Sequence, residues 1–397
     1  MRLNSGLLSL EEAYVFAEVR QRTQRFSAGR PEVKLISLGI GDVPGPLCPA
    51  VTRAMRRAVK EQGRQKSFHG YGPEQGYPFL RQQIAASLTA TGAPVQPREV
   101  FINDGAKTDL GGLLDLLEPG SRVLLCDPTY PAVWDDCLIR GLEPVRLPAD
   151  EGNDFLPMPP PGKPDLDAVY LCSPANPTGA VYNRAQLSAW VEYARANELL
   201  ILFDAAYAPF ISDPALPRSI YEIPGAHRCA IEIGSFSKLA GFTGTRCGYA
   251  ILPCELIVRG YPLQTLWARR QSARTNGVSY VVQCGAAAVY SPAGRRQTAK
   301  SIARISENAA LLAETLKAAG LSYWGGRHSP YLWVKCPRGL SSWAFFDFLL
   351  EYGGVVGTPG VGFGAAGEGY FRFSAFGDPA QLQIGCNRLL RAMDYLR

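Results

Sequence analysis

One lysine, Lys238, lies among residues whose types and spacing could perform covalent chemistry. Ser235 and Ser237 precede it, and Arg246 follows it by eight residues. A lysine amine can form a Schiff base with an aldehyde, while hydroxyl groups and an arginine can bind a phosphate. The segment therefore predicts a site for a cofactor with both an aldehyde and a phosphate. Lys238 would be its covalent anchor and would later carry a proton.

Three other residues, all earlier in the chain than Lys238, suit the same chemistry. Asp204 ends an apolar segment 34 residues before Lys238, and Asn176 lies 28 residues before Asp204. A carboxylate can keep a pyridine nitrogen protonated, so that the ring accepts electrons from a carbanion. Asn176 and Tyr207 are suited to hydrogen-bond a phenolic oxygen on that ring. Together these residues predict an enzyme that uses pyridoxal 5′-phosphate (PLP).

Each of these residues also has an ordinary structural interpretation. Asp204 could cap a helix at a strand-to-helix turn, and Asn176 could belong to a common Asn-Pro-Thr-Gly turn. The spacing to Lys238 favours the cofactor site for Asp204, and the preceding strand together with the later Asp204 favours it for Asn176. The peptide bond between Asn176 and Pro177 is a candidate cis bond.

Other residues would complete the site. Ala106 and Lys107 open a predicted helix after the strand 100–103, and amides at a helix start bind phosphate. Tyr130 could stack on the cofactor ring, although a core aromatic is the alternative. Arg372 stands between aromatic residues and needs an anionic partner. A substrate α-carboxylate suits its two-pronged geometry, and a structural ion pair is the alternative.

The middle of the chain alternates apolar strands with helices. Strands are predicted at 123–126, 168–172 and 199–203. Between Asn183 and Glu198 the apolar residues recur at helical spacing, with Asn183 as a plausible cap. Unbroken apolar strands separated by helices predict a mainly parallel sheet covered on both faces. Ligands bind beyond the carboxyl ends of such strands, so Tyr130, Asn176 and Asp204 should converge.

The pattern changes from about Pro292 and predicts a smaller α+β domain. Its expected elements are a helix over 301–319, a strand over 331–335, a helix over 341–352, a Gly-rich turn over 357–369 and a strand over 370–374. The predicted domains are an N-terminal arm (1–45) that packs with the small domain, a large PLP-binding domain (46–290) and the small C-terminal domain (291–397).

Composition and charge exclude several classes of protein. The 397 residues are 47% hydrophobic with a net charge of +6, and the basic residues are scattered, so no nucleic-acid partner is expected. The ten cysteines form no CxxC pair and the three histidines lie far apart, which predicts free thiols and no metal site. The chain shows neither a targeting pattern nor 18 consecutive apolar residues, so we expect a cytoplasmic protein without a membrane partner.

The residues and motifs placed so far resemble those of the fold-type I PLP-dependent aminotransferases, and more narrowly those of the LL-diaminopimelate aminotransferases. The resemblance covers almost the whole chain. Its most specific segments are 38–42, 70–76, 104–107, 203–207, 241–246, 276–280 and 358–364. It implies an α/β fold with a large domain, built on a mainly parallel seven-stranded sheet between helices, and a smaller α+β domain.

The resemblance also implies a homodimer with shared active sites. Tyr71, Glu74 and Asn276 would reach across from the partner subunit, with Glu74 on the distal ammonium of diaminopimelate and Asn276 near cofactor and substrate. It implies substrate-binding roles for Tyr14, Ile40 and Gly41. Lys107, Tyr130 and Asn176 would contact both cofactor and substrate.

The implied reaction interconverts LL-2,6-diaminopimelate and 2-oxoglutarate with tetrahydrodipicolinate, glutamate and water, a step toward lysine and peptidoglycan precursors. Four departures from the family pattern are expected near the substrate entrance. They are Val133, the pair Arg274 and Thr275 where the family favours Lys-Phe, a short loop between Pro253 and Trp267, and Gly45. Val133 and the short loop favour the alternative of a relative that acts on lysine or another amino acid. A non-catalytic PLP-fold binding protein is the alternative from another class, and Lys238 argues against it.

Overall fold

The structure is a computed structural model that describes residues 2–10, 15–39, 41–163 and 165–396. Its helices and strands are numbered separately in chain order. The α-helices are α1 (Ser5–Leu8), α2 (Val15–Gly29), α3 (Pro49–Gln62), α4 (Pro78–Thr89), α5 (Ala106–Leu113), α6 (Pro131–Ile139), α7 (Arg184–Ala196), α8 (Phe236–Ala240), α9 (Leu263–Arg274), α10 (Tyr280–Val289), α11 (Pro292–Ala318), α12 (Ser342–Gly353) and α13 (Pro379–Asp394).

The strands vary in length from two to six residues. They are β1 (Ile36–Ser37), β2 (Val100–Asn103), β3 (Arg122–Asp127), β4 (Glu143–Pro148), β5 (Ala168–Cys172), β6 (Leu200–Asp204), β7 (Ala230–Ser235), β8 (Gly248–Ile251), β9 (Ile257–Val258), β10 (Tyr261–Pro262), β11 (Tyr323–Gly325), β12 (Tyr331–Lys335), β13 (Val355–Val356), β14 (Thr358–Pro359) and β15 (Tyr370–Ser374).

A seven-stranded sheet forms the centre of the fold, in the order β2-β8-β7-β6-β5-β3-β4. The strands β3 to β7 pair in parallel with one another, whereas β8 runs antiparallel to both of its neighbours. The mainly parallel α/β sheet predicted from the sequence is therefore confirmed, with β8 as its exception.

Both faces of this sheet are covered, as the apolar strands predicted. Along β6, Leu202 packs in one hydrophobic core, while Ile201 and Phe203 pack in the core on the other side. Successive strand residues point to opposite faces, so a strand between two helical layers must be apolar throughout.

The helix α7 begins where the sequence predicted. The side chain of Asn183 accepts a hydrogen bond from the Gln186 amide at 2.9 Å, and the Gln186 side chain accepts one from the Asn183 amide at 2.9 Å. This reciprocal cap satisfies two donors at the helix start. Leu187 and Trp190, at helical spacing, are buried against the sheet.

A second, antiparallel sheet is built from the C-terminal residues in the order β11-β12-β15-β14. In its register Trp333 of β12 pairs with Arg372 of β15. Near it, Ile36 of β1 pairs in parallel with Val355 of β13, so the N-terminal segment joins the C-terminal elements. The exact domain boundaries stay a prediction.

The long helix α11 begins earlier than the sequence analysis predicted, at Pro292 and not at 301. Ser291 caps it, because its hydroxyl accepts a hydrogen bond from the Gly294 amide at 3.0 Å. Proline is favoured at the first position of a helix, since it lacks the amide hydrogen that would go unpaired there. A Ser-Pro start signal was thus present in the sequence.

Candidate active site

Loops at the carboxyl ends of the parallel strands enclose a cavity of about 380 Å³. Predicted site residues from both halves of the chain line it. They are Gly41, Ala106, Lys107, Tyr130, Asn176, Asp204, Tyr207, Ser235, Ser237, Lys238, Arg246 and Arg372. The predicted convergence of Tyr130, Asn176 and Asp204 on one crevice is confirmed.

Lys238 lies in the short helix α8, directly after β7. Ser235 ends β7 and starts this helix, since its hydroxyl accepts a hydrogen bond from the Ser237 amide at 3.1 Å. The Lys238 ammonium Nζ donates to the carbonyl of Gly41 across the cavity. Burial lowers the pKa of Lys238 to about 8, against the opposing influence of the Asp42 carboxylate. The amine can therefore lose its proton near neutral pH.

Asp204 ends β6 and is buried beside the cavity. Its Oδ1 accepts a hydrogen bond from the Ala206 amide at 2.9 Å, and its Oδ2 accepts one from the Tyr170 hydroxyl at 2.8 Å. Burial raises the pKa of Asp204, and these two hydrogen bonds oppose the rise. Asp204 thus stabilises the turn after β6 and faces the cavity, but it does not cap a helix, since Tyr207 holds the N-cap position of the short 3-10 helix that follows.

Arg372 is a buried cation that forms no ion pair with any described residue. Its Nη1 donates to Asn176 Oδ1 at 2.7 Å, and its Nη2 donates to the Gly39 carbonyl at 2.8 Å. Its Nε is buried and has no hydrogen-bond partner in the described part of the chain. A buried guanidinium without an acid is costly unless an anion binds it, which favours an anionic ligand in the cavity.

Tyr331 was missed by the sequence analysis. Its hydroxyl lies 2.7 Å from the hydroxyl of Tyr207, and its ring centroid lies 4.3 Å from the guanidinium carbon of Arg372. Burial raises the pKa of both tyrosines, so both hydroxyls stay protonated near neutral pH. Tyr331 begins β12, beside the strand of Arg372, but only the register of the sheet brings it to the cavity.

Five more lining residues were not predicted as site residues. They are Phe16, Asp42, Leu110, Ala206 and Thr243. Asp42 directly follows the predicted Gly41 in the sequence, so its acidic side chain beside a glycine-rich turn was an available signal. Thr243 and Ala206 lie in the segments 241–246 and 203–207, on which the family resemblance rests. Phe16 and Leu110 carried no such signal, because isolated apolar residues are common in any fold.

The predicted phosphate-binding turn lies between β2 and α5. Gly105 has a φ of 140°, which L side chains rarely adopt, and it precedes the helix whose first residues are Ala106 and Lys107. The guanidinium of Arg246 packs directly against Gly105, so closely that a side-chain methyl at 105 would clash with it. Arg246 Nη1 also lies 3.5 Å from Ser237 Oγ. The first helix amides, a hydroxyl and a guanidinium therefore meet at one end of the cavity.

Three predicted residues, Tyr71, Glu74 and Asn276, do not line this cavity. Tyr71 is 90% exposed, and Glu74 and Asn276 are also exposed. Their two loops adjoin each other: a Cβ at Gly277 would lie 3.1 Å from the Pro73 carbonyl oxygen. The Glu74 carboxylate accepts a hydrogen bond from the Ser272 hydroxyl. The roles predicted for these residues across a dimer stay predictions.

Two predicted residues, Tyr14 and Ile40, lie outside the described residues. For Val133 the expectation of a place near the substrate entrance was wrong. Its side chain is fully buried in a hydrophobic core, on the inner face of α6. An apolar residue within an amphipathic helix turns toward the core because burial of its side chain is favourable. The peptide bond before Pro177 is cis, as considered from the sequence.

The chemistry of the lining residues suits PLP. Lys238, with its lowered pKa, can react with an aldehyde, and the buried carboxylate of Asp204 can pair with a ring nitrogen. The turn beside Arg246 can bind a phosphate. Among the described residues, no group of three or more His, Cys, Asp or Glu is arranged to hold a metal ion. Within the same residues, no helix has the length and apolar character needed to span a membrane.

Comparison with known proteins agrees with this geometry. The sequence profile of aminotransferase class I and II matches residues 33–389. The L,L-diaminopimelate aminotransferase from Chlamydomonas reinhardtii is 36% identical, with 98% of each chain covered and a TM-score of 0.91. Substrate-bound BacF from Bacillus subtilis is 27% identical, over 98% of this chain and 97% of that one, with a TM-score of 0.86.

The aromatic aminotransferase from Pyrococcus horikoshii OT3 is 25% identical, over 94% of this chain and 99% of that one, with a TM-score of 0.82. The profile spans most of the chain, and the similarity to the algal enzyme extends over nearly all of both proteins. The protein therefore belongs to the class I and II aminotransferases, PLP-dependent enzymes of fold type I.

Proposed function

We propose that this aminotransferase interconverts LL-2,6-diaminopimelate and 2-oxoglutarate with tetrahydrodipicolinate, glutamate and water. The observation that carries the proposal is the 36% identity, over 98% of both chains, to the L,L-diaminopimelate aminotransferase from Chlamydomonas reinhardtii. The protein would then supply precursors of lysine and peptidoglycan and act in the cytoplasm.

When bound, PLP supplies an aldehyde that reacts with amines and a ring that accepts electrons from the substrate α-carbon. Lys238 would hold the cofactor at rest and then move a proton to and from that α-carbon through its Nζ atom. Its lowered pKa supports this role, because an amine that titrates near neutral pH can both accept and release a proton.

The other cavity residues would bind and orient the cofactor. Asp204 would accept a hydrogen bond from the ring nitrogen and keep that nitrogen protonated, while Asn176 and Tyr207 would donate hydrogen bonds to the phenolic oxygen. The phosphate would bind to the hydroxyls of Ser235 and Ser237, the guanidinium of Arg246 and the amides of Ala106 and Lys107. The ring of Tyr130 would stack on the cofactor. Their common place on the cavity wall supports these roles.

Arg372 would bind the α-carboxylate of the substrate, next to the Gly41 loop. Its position as a buried cation that pairs with no acid among the described residues supports this role. Glu74 of a second subunit would contact the distal ammonium of the substrate. Its exposed carboxylate, together with exposed Tyr71 and Asn276 nearby, supports a site that is completed by dimerisation.

A homodimer is part of the proposal. The hairpin of β9 and β10 and the start of α9 expose four apolar side chains: Ile257, Val258, Tyr261 and Leu266. Apolar groups clustered at the surface are typical of an interface between subunits. Further along α9, buried Gln271 donates a hydrogen bond to the Glu74 carbonyl at 2.9 Å, so the same helix adjoins the proposed shared site.

A relative with another amino donor is the second candidate. It would act on lysine or another amino acid, and Thr275 favours it. Thr275 directly precedes Asn276, where the family has an aromatic residue. A smaller, polar side chain at the proposed shared site changes the surface that would meet the distal end of the substrate.

A donor panel distinguishes the two candidates. Purified protein loaded with PLP is incubated with 2-oxoglutarate and with LL-diaminopimelate, meso-diaminopimelate, lysine, aspartate or an aromatic amino acid, and glutamate formation is measured. The proposal expects LL-diaminopimelate to have the highest kcat/KM, with a cyclic imine as product. High turnover of another donor, with none of LL-diaminopimelate, would reject it in favour of the second candidate.

A further inference from the structure

A buried polar pair lies behind the proposed phosphate-binding turn. Asn103 is the last residue of β2, and Asp109 lies in the first turn of α5. Both side chains are buried, Asp109 completely. The side-chain amide of Asn103 donates a hydrogen bond to Asp109 Oδ1. This bond connects the two ends of the segment 104–108, which contains the cavity residues Ala106 and Lys107.

The segment 104–108 has little freedom to move. On one side it packs against β8, where a Cβ at Gly248 would lie only 2.8 Å from the Ala106 amide nitrogen. On another side Gly105 is in contact with the guanidinium of Arg246. In such close packing a small shift of the chain displaces its neighbours. A change at either end of the segment, at Asn103 or Asp109, would therefore be transmitted to the amides of the turn.

Gln271 of α9 fixes the orientation of the Asn103 amide. Gln271 Nε2 lies 3.4 Å from Asn103 Oδ1 and donates to the Ile102 carbonyl at 3.1 Å. With its oxygen facing a donor, the Asn103 amide must turn its NH2 group toward Asp109. The pair is thus held by a third buried polar side chain and not by chance contact.

The surroundings of Asp109 favour its uncharged form. Its Oδ2 has no hydrogen-bond partner in the described part of the chain. Burial raises the pKa of Asp109 well above its usual value, Asp104 adds to the rise, and the Asn103 hydrogen bond and Arg270 oppose it. An uncharged carboxyl group still accepts a hydrogen bond at Oδ1, and so would the amide of an asparagine.

We propose that Asp109 is a positioning residue that, through its hydrogen bond with Asn103, holds the segment 104–108 in the shape that binds the cofactor phosphate. Asp109 itself does not line the cavity and acts through the backbone of the turn. This inference depends on PLP as the cofactor but not on the identity of the amino donor.

The test measures cofactor affinity of the full-length protein after removal of PLP, by titration with PLP and with pyridoxal, which lacks the phosphate. Asp109→Leu and Asn103→Ala each remove the hydrogen bond, and we expect each to weaken PLP binding at least about tenfold. Pyridoxal binding should change little, because only the phosphate contacts the turn. Asp109→Asn keeps the acceptor and should bind PLP within about threefold of the wild type.

A double-mutant cycle completes the test. If the pair acts as a unit, the variant with both Asp109→Leu and Asn103→Ala should bind PLP no more weakly than the weaker single variant. Unchanged PLP affinity in Asp109→Leu, or an equal loss for PLP and pyridoxal, would overturn the proposal. Should Asp109→Leu fail to fold, Asn103→Ala leaves position 109 intact and decides by the same criteria.

Arg246→Ala serves as the reference for the turn itself, because Arg246 contacts Gly105 directly. It should lose PLP affinity at least as strongly as Asp109→Leu. If Arg246→Ala binds PLP normally, the phosphate does not lie at this turn and the role of Asp109 is refuted. If the protein binds PLP normally but does not turn over LL-diaminopimelate in the donor panel, only the proposed substrate is wrong, and the role of Asp109 is unaffected.

Discussion

Lys238 must be uncharged before it can attack an aldehyde, and the cavity makes this possible near neutral pH. Burial lowers the pKa of Lys238 to about 8, and the cations Arg372 and Arg246 contribute to the shift. The Asp42 carboxylate, which also lines the cavity, acts in the opposite direction and raises this pKa. The pKa of Lys238 therefore depends on both the burial of the amine and the nearby acid.

The uptake of PLP by the cofactor-free protein should therefore follow the titration of Lys238. We expect the rate of covalent uptake, measured by absorbance after rapid mixing, to rise with pH through a midpoint near 8 and then to level off, because only the neutral amine reacts. Asp42→Asn should move the midpoint to lower pH, since it removes the carboxylate that stabilises the ammonium form. A midpoint near that of a free lysine side chain would contradict this expectation.

At the scale of residues, the charged groups of the site could be predicted from the sequence, whereas the contacts between side chains could not. Lys238, Asp204 and Arg372 each carry a charge that an apolar surrounding makes conspicuous, and all three line the cavity. Tyr331 could not be found in this way, because a tyrosine at the start of an apolar strand is ordinary in a core. Its place beside Arg372 follows only from the register of β12 against β15.

At the scale of elements, local signals located the segments well. The strands β5, β12 and β15 have the bounds predicted from their apolar runs, and α7 begins after its predicted cap. The antiparallel direction of β8 had no local signal, because strand direction depends on pairing between residues distant in sequence. The helix α2 was not predicted, although Glu18 and Arg22 form an ion pair at 2.8 Å, one turn apart, which favours a helix locally.

The turn between β2 and α5 should tolerate no side chain at Gly105. Its φ of 140° is strained for alanine, and a methyl group there would displace the guanidinium of Arg246. We expect Gly105→Ala to weaken PLP binding at least about tenfold, as measured by titration of the cofactor-free protein. Gly29→Ala is the matched control, since position 29 has open space and no positive φ, and it should bind PLP normally. Normal binding by Gly105→Ala would mean that Arg246 is not needed at this turn.

At the scale of the whole molecule, one buried acid should make stability depend on pH. Glu232 lies in β7, an interior strand of the seven-stranded sheet, and is 1% exposed. Its Oε2 accepts hydrogen bonds from the Ser219 hydroxyl at 2.5 Å and the Ile220 amide at 3.0 Å. Burial nevertheless raises the pKa of Glu232 from 4.5 to about 7.

The pKa of Glu232 is higher in the folded state than in the unfolded state, so this residue makes the folded protein less stable as the pH rises. The contribution of the protonated group to stability is complete below about pH 4.5 and is lost as the pH rises through 7, a loss of ~3 kcal/mol. Glu232→Gln keeps an oxygen that accepts both hydrogen bonds and cannot ionise. We therefore expect its melting temperature, relative to the wild type, to increase between pH 5 and pH 8.

The control for this prediction is Glu255→Gln, which changes a residue with a 61% exposed side chain. Its difference in melting temperature from the wild type should stay nearly constant over the same pH range, because solvent screens an exposed acid. A Glu232→Gln difference that is equally constant would show that Glu232 is already ionised in the folded protein at low pH.

The proposed dimer can be tested by mixing two inactive variants. Lys238→Ala removes the amine of a subunit's own cavity, and Tyr71→Ala removes an exposed side chain proposed to complete the cavity of the partner subunit. In a mixed dimer with shared sites, one cavity carries both defects and the other carries neither. Random exchange of subunits makes about half of the dimers mixed, so activity should return to about a quarter of the wild-type value. If each chain instead uses its own Tyr71, every cavity in the mixture keeps one defect and the activity stays at the level of the separate variants.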